Sequence, residues 1–453
     1  MSKLARILLA GADQKRLLPI ASRLEETGLP TVTAGSAAAA VAACEDLHPA
    51  ALIIDGQDIT ADDATRLSAA VRRRAAIPVI VVWPADAPPA PETAFDAVLR
   101  HPVHPAQAVS RVQNALRHGV MKQEAALRQQ TLSTLGIQTP DIDASGQGAL
   151  NVLFVGEADP AFMGLRNALG AARVNVVAAF TSFTAFDYLH DRNFHAIVLN
   201  ALKNNEPAFT ICSALRRNSR LFHVPALILH DPSRFDAADE IFARGASDLL
   251  SVQAPEAESA DRIVTLARER AEGLAVRNAF ECIREGRVLD AGTGLFNRDM
   301  CAAHLKAMGE AAGREDRPLS FIAVRANSSA LEHARPAPDQ LARARNEFGS
   351  MLRYLVRPED FAARLDSGVF LIAMPGAVEG EAEEAAKRIS MVSDCSAFAE
   401  DSRGDTVRLR MRCAVAERQP GETGIQLLNR AIGGLGIASV TPRPGESVPT
   451  GLA

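Results

Sequence analysis

The feature that most constrains this chain is a strand–helix alternation used twice. Residues 5–10, "ARILLA", form a continuous apolar run, as expected for a strand buried on both faces of a parallel sheet. A helical stretch follows at 14–27, then "PTVTAG" and an Ala-rich helix at 35–46. Next come the strand "ALIID" (51–55), a helix at 63–75, the strand "IPVIVV" (77–82) and the closing segment "AFDAVLRHPVHPAQAVSRVQNALRHG". The same order returns from residue 149: "ALNVLFVGEADPAF", "VNVVAAF", "FHAIVLN", "VPALILH", "GASDLLSV". First strand against first strand, the offset is about 145 residues, so a whole doubly wound α/β domain is duplicated.

The 453 residues leave room for a third domain. The segment "MKQEAALRQQTLSTLGIQTPDIDASGQG" between the copies begins helical and ends polar, with Gly and Pro. After the second copy, 260–288 reads as one long helix, a stalk that couples the second copy to the third domain. The expected organisation is a first domain at 1–120, a linker at 121–148, a second domain at 149–272, a helical linker at 273–289 and a third domain at 290–453.

Composition narrows the function classes. Residues are 47% apolar with mixed charges, and the net charge of −5 speaks against nucleic-acid binding. Six cysteines lie far apart with no metal-ligand spacing, as in reduced thiols of a cytosolic protein. No apolar run approaches a membrane span. The expectation is a soluble, cytoplasmic protein without membrane insertion.

Both copies resemble response-regulator receiver domains, which have the flavodoxin-like fold. The resemblance implies a strand-end Asp nucleophile and an acidic pair that holds Mg²⁺. In copy one Asp55 follows "ALII" and is the candidate phosphoacceptor, but the acidic pair has become Gly11 and Ala12. Trp83 replaces the switch hydroxyl, and His101 replaces the Lys before Pro102. A single carboxylate is a poor Mg²⁺ site, so Asp55 reads as an acceptor or a relic; Asp13 could bend in to help, though it lies one or two positions late. In copy two the acceptor position is Asn200, which cannot form an acyl phosphate, and only Glu157 is left of the acidic pair. That copy is expected to be an adaptor.

The third segment resembles GGDEF domains, the diguanylate cyclase family, from 285 to about 439. "DAGTGLFNRDM" (290–300) is similar to that family's opening motif, "PLSFIAVRANSS" to its metal-binding strand, and "FLIAMPG" to the strand after its signature loop. An α/β domain with an antiparallel-containing central sheet is implied. At the family's metal-ligand positions stand Arg325 and Gly368; Asp366 and Ser367 stand at the loop glycines. The guanine-reading positions fall at His333 and Ala342, with Asp339 a three-residue slip away. The family's basic C-terminal motif gives way to "GGLGIASVTPRP", with no lysine. From this the chain is expected not to be an enzyme, with no catalytic residue, no metal and no cofactor.

What persists is Arg357-x-x-Asp360, five residues before the loop, where the resemblance implies an inhibitory site for cyclic di-GMP, with Arg388 as third member. Arg suits the O6/N7 edge of guanine, and Asp can accept from its N1/N2 side. The pattern alone is weak, since Arg287 and Asp290 form another. The receiver–receiver–GGDEF order resembles PleD-like proteins. The resemblance further implies a homodimeric cyclic di-GMP effector of the bacterial cell cycle, recruited to the cell pole. It also implies a role in delivering regulators to the ClpXP protease through the adaptor RcdA. The alternatives are a nucleotide-independent scaffold and, less favoured, a residual diguanylate cyclase.

Overall fold

A computed structural model describes residues 6–73, 77–84, 87–88, 90, 94–138, 148–218, 220–233, 237–284, 286–328, 336–400 and 404–436. Two compact units result, one with both parallel sheets and one with an antiparallel sheet.

In the first unit, copy one runs β1 (Ile7–Ala10), α1 (Gln14–Glu26), β2 (Thr31–Ala34), α2 (Ala37–Leu47), β3 (Ala51–Asp55), α3 (Ala61–Arg72), β4 (Val79–Trp83) and β5 (Ala97–Arg100), and enters α4 (Pro105–Thr134). Its strands are all parallel, in the order β2-β1-β3-β4-β5. The unbroken apolar strands result from this arrangement. Leu8, Leu52 and Val81 enter the core on one face, while Ile7, Leu9 and Ile53 enter the core on the other. Helix starts are capped locally: Asp13 accepts from Lys15 N at 3.0 Å and Ser36 from Ala39 N at 3.2 Å. Among the described residues between β4 and β5 there is no helix.

Copy two repeats the plan with β6 (Asn151–Val155), α5 (Pro160–Ala171), β7 (Asn175–Ala179), α6 (Ser182–Asp191), β8 (Ala196–Asn200), α7 (Glu206–Arg217), β9 (Ala226–His230), α8 (Ala238–Ala243), β10 (Asp248–Ser251) and α9 (Glu256–Cys282). Its order, β10-β9-β8-β6-β7, is the same topology read from the other edge. The copies meet through polar pairs: Gln107 donates to Asp248 at 2.8 Å, and Arg100 lies 3.1 Å from Asp261.

The second unit holds α4 from Val120 onward and the chain from Arg277. It comprises α10 (Arg298–Glu315), β11 (Leu319–Ser328), α11 (Pro338–Leu355), β12 (Phe361–Asp366), β13 (Val369–Pro375), α12 (Glu379–Asp394), β14 (Leu409–Glu417) and α13 (Gly424–Gly434). The sheet order is β12-β13-β11-β14, with every adjacent pair antiparallel. Alternate residues of β11 feed two cores. Phe321 and Ala323 pack with α10 and α13, while Ile322 and Val324 pack with α11 and α12. The fold is thus α/β, with two domains built on parallel sheets and a third built on an antiparallel sheet.

Candidate functional site

Helix α11 ends because its sequence tells it to. Pro358 pushes Arg357 out of the helical region, and Val356 is already extended at φ −96° and ψ 157°. The chain then closes a tight turn on itself. Asp360 N donates to Arg357 O at 3.1 Å, and Arg357 N donates to Asp360 Oδ2 at 2.9 Å. Phe361, wholly buried and stacked 4.6 Å from Phe296, anchors the exit strand β12.

The turn presents its members unequally. Arg357 is exposed, with its guanidinium available to solvent, whereas Asp360 is 8% exposed. Burial pushes the Asp360 carboxyl up to about 7; the Arg357 backbone N–H opposes this, the neighbouring Glu359 adds to it, and the charges of Arg357 and Arg128 oppose it. Arg388, exposed on α12, donates to Leu355 O at 3.5 Å. The structure therefore brings Arg388 to the helix end that leads into the turn.

Sequence reasoning missed what lies beneath. Arg128, on α4 and 3% exposed, donates through Nη1 to Pro358 O at 3.2 Å and through Nη2 to Glu359 O at 2.9 Å. Its Nε donates to Glu124 at 2.7 Å, and Glu124 meets His304 Nε2 at 2.8 Å. The only sequence signal was an i,i+4 Glu–Arg pair in a stretch read as linker.

The second Arg-x-x-Asp is used differently. Asp290 caps its own turn, accepting from Thr293 N at 3.0 Å and Thr293 Oγ1 at 2.7 Å, and pairs with Arg364 at 3.0 Å. Burial raises its pKa, but Thr293 and Arg364 outweigh that and hold the carboxyl below its ordinary range. Asp290 is a structural strut.

At the signature-loop position β12 and β13 join through Ser367 and Gly368. A Cβ on Gly368 would sit 2.8 Å from Arg345 Nε, so only glycine lets Arg345 lie there and donate to Ala326 O at 3.2 Å. Arg325 is exposed on β11 opposite Val369 and Arg412. Asp339 lies in the first turn of α11 and Ala342 on the same helix. His333, and the stretch after Gly436, fall outside the described residues.

In copy one, Asp55 is 1% exposed and its Oδ2 lies 2.9 Å from Arg16 Nε. Arg16 also pairs with Asp58 and donates to Gln57 at 2.7 Å, and His101 Nε2 is 4.0 Å from Asp55. A guanidinium thus neutralises the candidate acceptor, while the Asp13 side chain is spent capping α1. A Cβ on Gly11 would meet Asp55 Cβ at 2.9 Å, so the first acidic position has closed against the acceptor. In copy two Asn200 donates to Asp159 at 2.8 Å and to Glu157 O at 3.2 Å, and accepts from Leu202 N at 3.0 Å.

No family model matches the chain. It is 25% identical over 248 residues to the response regulator PleD of Caulobacter vibrioides, covering 54% of this chain and 55% of that protein. The chain spans about half the length of that curated relative. It is also similar to the GGDEF domain of DgcB from Caulobacter crescentus, solved in complex with c-di-GMP: 19% identity, 33% of this chain, 86% of that chain, TM-score 0.29. A further likeness is to the diguanylate cyclase SiaD of Pseudomonas aeruginosa, in complex with its activator SiaC: 20% identity, 36% of this chain, 62% of that chain, TM-score 0.30. Over those 248 residues the chain is similar to PleD.

The expectation that the chain is not an enzyme is corrected here. The domains it resembles include a diguanylate cyclase, so the comparison leans to an enzyme family. Among the described residues the four-stranded sheet and its hairpin at Asp366–Val369 are present. Substitutions at single positions, which carried the expectation, leave that frame standing.

Proposed function

We propose that this protein is a cyclic di-GMP effector in bacterial signalling, with the ligand held at the Arg357–Asp360 turn and by Arg388. The supporting observation is the turn itself. An exposed, permanently charged fork stands on a backbone pinned by two internal hydrogen bonds, and Arg388 reaches the same helix end. A preorganised Arg can bind the O6/N7 edge of guanine at both acceptors, and the Asp360 carboxylate can accept from the guanine N–H groups.

By resemblance to the effector PopA, the partners are a second copy of the chain, the adaptor RcdA and the ClpXP protease, and the location is the cytoplasm with recruitment to the cell pole. The proposed domains are 1–120, 149–272 and 290–453, joined by linkers at 121–148 and 273–289. Among the described residues no helix is long and apolar enough to cross a membrane. Asp55 stays the candidate phosphoacceptor of copy one, and Arg16 is the group a phosphoryl donor would have to displace.

Calorimetry on the full chain tests the reading. Cyclic di-GMP should bind the wild type, and Arg357→Gly should weaken it by about 1–3 kcal/mol, roughly tenfold to over a hundredfold. Unchanged affinity in folded Arg357→Gly places the ligand elsewhere. No binding by the wild type favours a nucleotide-independent scaffold.

A further inference from the structure

Helix α4 is shared between the units, its residues to Gly119 in the first and from Val120 in the second. Near its end, all three guanidinium nitrogens of Arg128 are hydrogen-bonded. Nε binds Glu124, while Nη1 and Nη2 take the carbonyls of Pro358 and Glu359, the two central residues of the Arg357–Asp360 turn. Its planar face lies 4.7 Å from the Phe280 ring, with Phe296 and Phe361 at 5.6 and 5.7 Å.

A buried cation tolerates such a site only with a fixed counter-charge. Glu124 supplies it, 2% exposed, and is held in turn by His304, which also contacts Thr131 Oγ1 at 2.9 Å. Burial alone would raise the Glu124 pKa; His304 and Arg128 outweigh it and keep the carboxyl below its ordinary range. The network therefore joins α4, α10 and the turn through a continuous chain of hydrogen bonds.

Two carbonyls of the turn, that of Glu359 buried and that of Pro358 partly so, take hydrogen bonds from α4, so the turn's shape and the position of α4 depend on each other. We propose that Arg128 is a positioning residue through which α4 sets the ligand-binding conformation of the Arg357–Asp360 turn, so that occupancy of the turn and the state of α4 are coupled. This rests on the reading of that turn as a cyclic di-GMP site. Because coupling is reciprocal, ligand bound at the turn must stabilise α4 as much as α4 favours the ligand.

The experiment uses the full chain and two readouts. Calorimetry compares wild type, Arg128→Lys and Arg128→Met with cyclic di-GMP as probe. Hydrogen–deuterium exchange tracks residues 120–134 of the wild type with and without the nucleotide. Expected are a Kd at least tenfold weaker in Arg128→Met, a smaller loss in Arg128→Lys, which keeps the charge on a single donor nitrogen, and slower exchange of 120–134 on ligand addition. Wild-type binding with variant affinities within twofold overturns the proposal. So does weakened binding with unchanged exchange in 120–134, since Arg128 would then only hold the fold. Should Arg128→Met fail to fold, Arg128→Lys and the wild-type exchange decide. Absence of wild-type binding overturns the underlying site reading, and the coupling with it.

Discussion

The strongest quantitative handle on the candidate site is the carboxyl of Asp360. Its pKa stands at about 7 against an ordinary 3.8, chiefly because it is buried at the base of the turn. A guanine donating both N1–H and N2–H pairs with the ionised carboxylate, because the protonated carboxyl turns one of its oxygens into a competing O–H donor. With a pKa of 7, about nine-tenths of the protein carries that carboxylate at pH 8 and about one-tenth at pH 6. Cyclic di-GMP affinity should therefore fall about tenfold from pH 8 to pH 6, some 1.4 kcal/mol, and about a hundredfold by pH 5. The fold carries the opposite sign. Between the unfolded and folded pKa values the native chain holds the extra proton, so Asp360's contribution to stability declines as pH rises from about 4 to about 7. The displacement of the folded pKa from 3.8 to about 7 sets an upper bound of about 4 kcal/mol for that decline. Calorimetry across pH 5.5–8 at fixed ionic strength reads the first effect. Urea unfolding of wild type against Asp360→Asn reads the second, since Glu269, also raised to about 7 by burial, is common to both. A wild-type affinity flat across that range refutes the reasoning. So does a pH dependence that survives in Asp360→Asn.

Three further outcomes are expected. Arg388→Ala should weaken cyclic di-GMP binding and be non-additive with Arg357→Gly in a double-mutant cycle, whereas Arg287→Ala should leave binding within twofold by calorimetry. Arg16→Ala strips the guanidinium from a carboxylate that is 1% exposed; because Arg16 itself is 30% exposed, a loss of about 1–3 kcal/mol is expected, read by urea unfolding at pH 7. Asn200→Ala removes three hydrogen bonds at the end of β8 and should cost about 1–3 kcal/mol of stability while leaving nucleotide affinity unchanged, as unfolding and calorimetry together will show.

The fold was legible because its signals are local and repeated. Strands buried on both faces, such as Ala51–Asp55 and Ala226–His230, read as unbroken apolar runs, and the duplication gave each run a counterpart. The ends of helices were harder. The long helix expected at 260–288 is α9, which ends at Cys282, and the helical start of the expected linker is the continuation of α4 to Thr134. Nothing in composition separates a solvated linker helix from one whose Glu124 and Arg128 are buried, since both carry charges at i,i+4.

The site was legible only where function is carried by sequence-adjacent residues. Arg357 and Asp360 are three apart and joined by a turn that Pro358 announces. Arg388 needed a family resemblance to be found at all. The pairing of Arg16 with Asp55 could not be read, because the contact spans 39 positions. For the same reason Arg128 stayed hidden, 231 positions from the carbonyl of Glu359. Both are arginines whose partners are brought together only by the packed fold. A motif names which side chains are kept. It takes the assembled chain to show that Arg16 pairs with Asp55 in copy one and that Arg128 holds the turn at 357–360. The pattern at 357–360 marks the proposed docking turn, and the buried Arg128 guanidinium donates to its two central carbonyls.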